Sequence, residues 1–171
     1  MKLRFRRALV ATGARPAVPD LPGLLDFGFV TNETVFSLTD LPRRLAVIGG
    51  GPAGCELAQA YARFGSQVTL LVRGDHVLPR EEETCAAVVQ RALEADGVRV
   101  LTQCRLVGVQ RPQRSKVVVF ELDGHQHQLP VDEILVAAGR ATRPRPRARI
   151  FSPPPPPVTR CGSRWSPTSS R

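Results

Sequence analysis

The fold of this chain is decided by residues 44–73, which read RLAVIGGGPAGCELAQAYARFGSQVTLLVR. The segment opens with a short apolar run at residues 45–48, whose β-branched members predict a buried strand. Four glycines follow, and Gly49, Gly51 and Gly54 have the spacing G-x-G-x-x-G. The segment therefore begins with a strand that we expect to end in a tight, glycine-rich turn.

A helix and a second strand are predicted after this turn. Pro52 suits the first position of a helix, where its missing N–H group would have no acceptor anyway. Residues 53–64 are good helix formers, Gly65 ends the helix, and residues 68–72 form another apolar run. The order strand, glycine turn, helix and strand is typical of a unit that binds the pyrophosphate of a dinucleotide.

Each glycine has a separate role in such a unit. Gly49 permits the tight turn, Gly51 lets the backbone approach the phosphates, and Gly54 lets the helix pack close to the strand. The free N–H groups and the positive end of the helix dipole then meet the anion. We therefore expect a dinucleotide at residues 49–54; the alternative is a glycine-rich turn that binds nothing.

The residue after the second strand indicates which dinucleotide is bound. Such units usually place a carboxylate there, which accepts a hydrogen bond from the adenosine ribose. This chain has Arg73 instead, with Arg80 shortly beyond, and a guanidinium suits a 2′-phosphate. The prediction is NADPH rather than NADH. The alternative that Arg73 is an ordinary solvated residue stays open. Asp75 lies close enough in sequence to make the distinction between NADPH and NADH less sharp.

The positive charge of the chain is concentrated at its end. The formal net charge is +9, but residues 140–171 contain eight arginines and no acidic residue, so the preceding part is nearly neutral. This placement argues against a specific nucleic-acid partner, and no apolar run has the length of a membrane span. The cysteines at 55, 85, 104 and 161 show no close pairing, which reduced thiols in a cytoplasmic protein explain most simply.

The remaining segments predict an α/β fold of the Rossmann type. A second helix is expected at residues 81–95, with Val88, Ala92 and Leu93 on its buried side. The central parallel sheet is expected from strands near Leu45, Val68, Val98 and Ile134, the last at residues 131–138, with helices on its faces. A three-stranded antiparallel flap is expected at residues 104–110, 116–122 and 126–129.

The amino-terminal part and the tail give weaker signals. Residues 7–11 predict a strand, the prolines at 16, 19 and 22 predict an irregular loop, and residues 24–43 predict a connector with a short helical turn. Residues 143–171 are rich in proline and arginine and predict a disordered tail. The five prolines at 153–157 can also form a polyproline ligand for a partner protein.

Three stretches in this order resemble one family. They are ATGARPAVPDLPG at residues 11–23, VIGGGPAGCELAQAYARFGSQVTLL at residues 47–71, and EILVAAGR at residues 133–140. Together they resemble the class I pyridine nucleotide-disulfide oxidoreductases, with mercuric reductase, glutathione reductase and dihydrolipoamide dehydrogenase as members. The resemblance covers residues 7–142. It implies the NAD(P) domain of a flavoprotein in which NADPH passes hydride to FAD.

The resemblance also implies cofactor-binding roles for individual residues. The implied NADPH pyrophosphate site consists of Gly49, Gly50, Gly51, Pro52, Ala53 and Gly54. Other implied NADPH contacts are Glu56 towards the nicotinamide, Arg73 on the 2′-phosphate, and Leu106 and Gly139 beside the two halves of the molecule. A backbone contact with FAD is implied for Thr12, Gly13 and Ala14. For Glu56, an ordinary acid in a first helical turn is the alternative.

The departures from the family pattern lead us to expect a truncated form. The amino-terminal FAD motif, the redox cysteine pair, the carboxy-terminal FAD strand and the dimer domain of the homodimeric family have no counterpart here. We expect residues 1–37 to be a remnant of the FAD domain with a connector, residues 38–142 the NAD(P) domain, and residues 143–171 the tail. The chain alone is then expected to lack turnover. The alternative is a non-catalytic interaction protein that uses its polyproline tail.

Overall fold

The computed structural model describes residues 9, 11, 13–112 and 115–142. Within them it has three helices, α1 (Leu24–Phe27), α2 (Pro52–Arg63) and α3 (Glu83–Ala95), and a 3₁₀ turn at Val35–Ser37. The strands are β1 (Ala14–Pro16), β2 (Val30–Thr31), β3 (Arg44–Ile48), β4 (Gln67–Leu71), β5 (Arg99–Leu101), β6 (Arg105–Gln110), β7 (Lys116–Leu122), β8 (His125–Val131), β9 (Glu133–Val136) and β10 (Arg140–Thr142).

Five parallel strands form the central sheet, in the order β2-β9-β3-β4-β5. The middle strand is β3, which leads into the glycine turn. It pairs with β4 along its whole length, from Arg44 opposite Gln67 to Ile48 opposite Leu71. The four predicted parallel strands are confirmed. The fifth, β2, lies in the segment expected to be a connector with a helical turn. Two residues between turns are too few to show a hydrophobic period, so the sequence gives no signal for it.

The two faces of the sheet are covered by different elements. Leu45 and Val47 of β3 pack into a core with α2 and α3, while Ala46 and Ile48 pack into a second core with the antiparallel strands. This alternation is what the period of two in a strand requires. The long helices therefore lie on one face, and the antiparallel sheet, with the one-turn α1, covers the other. The predicted three-stranded sheet is confirmed, in the order β6-β7-β8.

The buried side of α3 differs from the prediction. Ala86 and Leu93 are buried, with Val89 packed beside them, whereas Val88 is 58% exposed. Ala92 is exposed as well. The buried residues follow the helical spacing i, i+3, i+7, and a shift of one position moves a side chain by about 100° around the helix. The prediction for Val88 and Ala92 was wrong because several apolar residues in this helix compete for the same face.

A small two-stranded ribbon joins the two ends of the described chain. β1 pairs antiparallel with β10, with Ala14 opposite Thr142. Pro16 is the last residue of β1, although we expected the segment that contains it to be an irregular loop. A proline is tolerated there because it sits at the end of an edge strand. The predicted strand at residues 7–11 falls mostly outside the described residues, as does the whole tail at residues 143–171.

Charged side chains form hydrogen bonds and ion pairs between different helices and strands. Arg63 and Gln59 of α2 donate hydrogen bonds to Asp96 at the end of α3, which hold the pKa of that carboxyl below its usual range. Lys116 of β7 forms an ion pair with Glu133 of β9 and donates to the carbonyl oxygen of Gly28 at 2.9 Å.

None of the helices in the described ranges combines the length and the apolar character needed to cross a membrane.

We expect the substitution Lys116→Met to lower the free energy of unfolding by about 3 kcal/mol, because it leaves the Glu133 carboxylate largely buried and unpaired. The side chains of this pair are only 11% and 20% exposed. Arg105→Met is the matched control, since it breaks the more exposed pair with Glu121 and should cost less than about 1 kcal/mol. Urea unfolding followed by circular dichroism measures both free energies of unfolding. Equal losses would contradict the larger stabilisation expected from the buried Lys116–Glu133 pair.

Candidate functional site

The glycine turn is built at the carboxyl end of β3. Gly49 has a φ of 114°, which residues with a Cβ rarely adopt, and its N–H donates to the carbonyl oxygen of Leu71 at 3.0 Å. A Cβ on Gly49 would lie 2.5 Å from the carbonyl oxygen of Ala137, just after β9. The turn is thus fixed by both strands that flank β3, and a larger residue at position 49 has no room.

Gly54 sets the distance between α2 and the turn. A Cβ at this position would lie 1.9 Å from the carbonyl oxygen of Gly49 and 3.5 Å from the Cβ of Ala137. Because backbone atoms cannot move away cheaply, only glycine fits here. The close approach brings the first turn of α2 directly over the end of β3, as the glycine spacing predicted.

The start of α2 presents backbone donors without a competing side chain. Gly51 is the N-cap residue, and no side chain caps the helix. The N–H of Cys55 donates to the carbonyl oxygen of Gly51 at 3.0 Å, and the donors before it have no acceptor within a helix that begins at Pro52. A Cβ on Gly51 would meet no atom within 4 Å, so this glycine faces open space. An anion can therefore approach these donors closely.

Gly50 connects the turn to the segment that follows β4. A Cβ on Gly50 would lie 2.8 Å from a methyl group of Val72, and its carbonyl oxygen accepts a hydrogen bond from the N–H of Leu78 at 2.6 Å. The Cys55 thiol also lies 3.5 Å from this carbonyl oxygen. Burial, with the nearby Glu56, raises the pKa of the Cys55 thiol to about 11, so it stays protonated at neutral pH. Cys55 is buried in the core that α2 and α3 share with the central sheet, so its thiol contributes packing there.

Arg73 follows β4, at the same edge of the sheet as the glycine turn. Its side chain is exposed, as is that of Asp75 two residues later. The carbonyl oxygens of the two neighbouring residues are bonded to the connection between β5 and β6: Val72 accepts from the N–H of Cys104 at 2.9 Å, and Gly74 accepts from the N–H of Gln103 at 2.7 Å. Leu106 lies two residues beyond Cys104 in β6, and packs partly into the core between the two sheets.

The other predicted contacts lie on the opposite side of the turn or outside the described residues. Glu56 is exposed in the first turns of α2. Gly139 follows β9, has a φ of 116°, and accepts a hydrogen bond from the N–H of Ala17 at 2.9 Å. Gly13 is exposed, and the carbonyl oxygen of Ala14 accepts a hydrogen bond from Arg140 at 2.8 Å. Thr12 falls outside the described residues.

Two residues near Arg73 were not singled out from the sequence. Leu78 and Gln103 have φ values of 52° and 56°, in the left-handed region that glycine, asparagine and aspartate favour. Neither leucine nor glutamine signals such a backbone, so these two residues could not be identified from the sequence. His125 and His127 are exposed on β8, and the described part of the chain brings no three potential metal ligands together.

The comparisons with known proteins agree with this geometry. A family described as pyridine nucleotide-disulphide oxidoreductase matches residues 1–150. The mercuric reductase of Acidithiobacillus ferrooxidans is 42% identical over 145 residues, which cover 82% of this chain and 25% of that protein. The dihydrolipoyl dehydrogenase of Bacillus subtilis (strain 168) is 36% identical over 138 residues, covering 80% of this chain and 29% of that protein.

Solved structures give the same result. The HOCl-induced flavoprotein disulfide reductase RclA from Escherichia coli superposes with a TM-score of 0.69 at 31% identity, covering 78% of this chain and 30% of that chain. An engineered water-forming NADPH oxidase bound to NADPH has a TM-score of 0.64 at 20% identity, covers 75% of this chain and 29% of that chain, and supports the fold alone.

The chain spans between a quarter and a third of the length of these relatives. The part that it covers contains the parallel sheet, the glycine turn and the antiparallel sheet. The resemblance stated from the sequence is therefore confirmed, together with the two cofactor types of the family, pyridine nucleotide and flavin. This chain belongs to the pyridine nucleotide-disulphide oxidoreductase family.

Proposed function

We propose that the glycine turn holds the pyrophosphate of NADPH, as the nucleotide-binding module of a flavin-dependent oxidoreductase. The observation that supports this most directly is the open space at Gly51 beside the uncapped start of α2. Backbone donors and the positive end of a helix dipole favour an anion there. A diphosphate bridges such donors without needing a charged side chain.

The strand order suggests how the nucleotide lies. β3 sits between β4 and β9, so the carboxyl ends of these two strands flank the glycine turn on opposite sides. Arg73 follows β4, and Gly139 follows β9. A dinucleotide centred on the turn would place its adenosine end towards Arg73 and Leu106, and its nicotinamide end towards Gly139, with Glu56 on the same helix as the pyrophosphate site.

The flavin would meet the nicotinamide end in the whole protein. Gly13 directly precedes β1, which begins at Ala14 and pairs with β10, and β10 begins directly after Gly139. The hydrogen bond from the N–H of Ala17 to the carbonyl oxygen of Gly139 also joins the two segments. When both cofactors are bound, they supply the chemistry, which is hydride transfer from NADPH to flavin. The residues of this chain would hold and orient the hydride donor.

The substitution Gly51→Ala should weaken NADPH binding by tenfold or more, about 1.4 kcal/mol, because the added methyl group occupies the approach of the pyrophosphate. The fold should be unchanged, since no atom lies within 4 Å of that position and its φ of −75° is ordinary. Titration calorimetry measures the affinity, and thermal unfolding checks the fold. Gly54→Ala is the contrasting variant, which should fail to fold stably; wild-type affinity in a folded Gly51→Ala chain would count against the site.

Arg73→Ala should lower the affinity for NADPH about tenfold or more while leaving the affinity for NADH within twofold. The lost interaction is a charge-assisted hydrogen bond to the 2′-phosphate, worth about 1.5–3 kcal/mol. Arg105→Ala, which removes an exposed arginine from the antiparallel sheet, is the matched control and should change neither affinity. An equal loss for both nucleotides would mean that Arg73 does not read the phosphate.

The 171-residue chain should bind NADPH but should neither retain FAD nor oxidise NADPH. The described residues contain one glycine-rich phosphate turn, and in this proposal a single dinucleotide occupies it. Absorbance spectra after gel filtration with added FAD, and the loss of NADPH absorbance with time, measure the two properties. A stable yellow complex that consumes NADPH would show that the chain is an enzyme by itself.

A further inference from the structure

The backbone around Arg73 is held by an unusual connection between β5 and β6. Val72 donates its N–H to the carbonyl oxygen of Leu101 at 2.8 Å and accepts from the N–H of Cys104 at 2.9 Å. Gly74 accepts from the N–H of Gln103 at 2.7 Å. The carbonyl groups of Val72 and Gly74, the residues on either side of Arg73, are therefore bonded to the N–H groups of residues 103 and 104.

Gln103 has a backbone conformation that few residues other than glycine adopt. Its φ is 56°, and among the described residues only Leu78 and Asp123 share a positive φ without being glycine. Asp123 lies in a two-residue hairpin turn, where aspartate is a preferred residue. Glutamine has no such preference, and strain of this kind persists only where the surroundings impose it. The turn at Gln103 directs two consecutive N–H groups, those of Gln103 and Cys104, at the carbonyl groups flanking Arg73.

Leu78 anchors the same loop from the other side. Its φ is 52°, and its N–H donates to the carbonyl oxygen of Gly50 in the glycine turn. The segment from Val72 to Leu78 is thus bonded at one end to the β5–β6 connection and at the other end to the pyrophosphate site. Its backbone is set before any nucleotide arrives.

We propose that Gln103 is a positioning residue for nucleotide selectivity, because its left-handed backbone directs hydrogen bonds to the carbonyl groups of Val72 and Gly74, the residues on either side of Arg73, and so presents the guanidinium to a 2′-phosphate. The inference rests on the proposed binding of NADPH. Gln103 acts through its main chain, and its exposed side chain takes no part. Preorganisation of this kind gains affinity by lowering the entropy that Arg73 loses on binding.

Three substitutions of Gln103 test the proposal. Gln103→Gly keeps the N–H group and accepts a positive φ freely, so the ratio of NADPH to NADH affinity should stay within twofold of wild type. Gln103→Val resists this backbone because of its branched Cβ, and the ratio should fall about tenfold, with NADH affinity nearly unchanged. Gln103→Thr also has a branched Cβ but a polar side chain suited to this exposed position, so it replaces the valine variant if that one fails to fold, and its ratio should fall in the same direction.

Asp123→Val is the matched control, since it strains another left-handed residue, in the β7–β8 turn. It should lower the melting temperature without changing the affinity ratio measured by calorimetry. An unchanged ratio in folded Gln103→Val and Gln103→Thr chains that still prefer NADPH would overturn the inference and leave the proposed function standing. Loss of selectivity in Gln103→Gly would overturn it too, because the side chain would then be responsible. Absence of binding in the wild type would instead refute the proposed function.

Discussion

The contact between Gly54 and the carbonyl oxygen of Gly49 is the constraint on which the structure depends. With no Cβ at position 54, the first turn of α2 rests directly on the end of β3. This approach places the helix axis over the sheet edge and leaves the first N–H groups facing outward. It also brings Ala137 against the turn, so that β9 ends beside it. The position of α2 over the glycine turn, and with it the proposed anion site, depends on this one missing methyl group.

Much of this arrangement could be predicted from the sequence, because the glycine spacing has a direct steric meaning. The strands β3 and β4, the helix α2 and the antiparallel sheet have local signals that long-range packing reinforces. The buried face of α3 could not be predicted, since Val88 and Val89 are equally apolar and only contact with the sheet decides between them. Strand β2 is two residues long and depends entirely on its pairing with β9.

The residues of the candidate site also divide into those that could be predicted from the sequence and those that could not. The residues of the glycine turn and Arg73 could be found from spacing alone, because their position along the chain fixes their position at the sheet edge. Leu78 and Gln103 could not, since their importance lies in backbone angles that neither residue type signals. Such angles arise where several hydrogen bonds over-determine a short connection, and that happens only in the assembled fold. Local pattern thus identifies the residues that we propose to face the nucleotide, and tertiary structure identifies those that hold them.

The pairing of β1 with β10 has a consequence for how this unit is carried within a longer polypeptide. Residues 14–16 and 140–142 lie side by side, so the backbone enters and leaves the nucleotide-binding unit at neighbouring positions. A unit attached in this way can be inserted into a host domain without separating the host's own strands by more than a few ångströms. Evolution could exchange the module as a cassette, and an engineer could graft it between two adjacent positions of another scaffold.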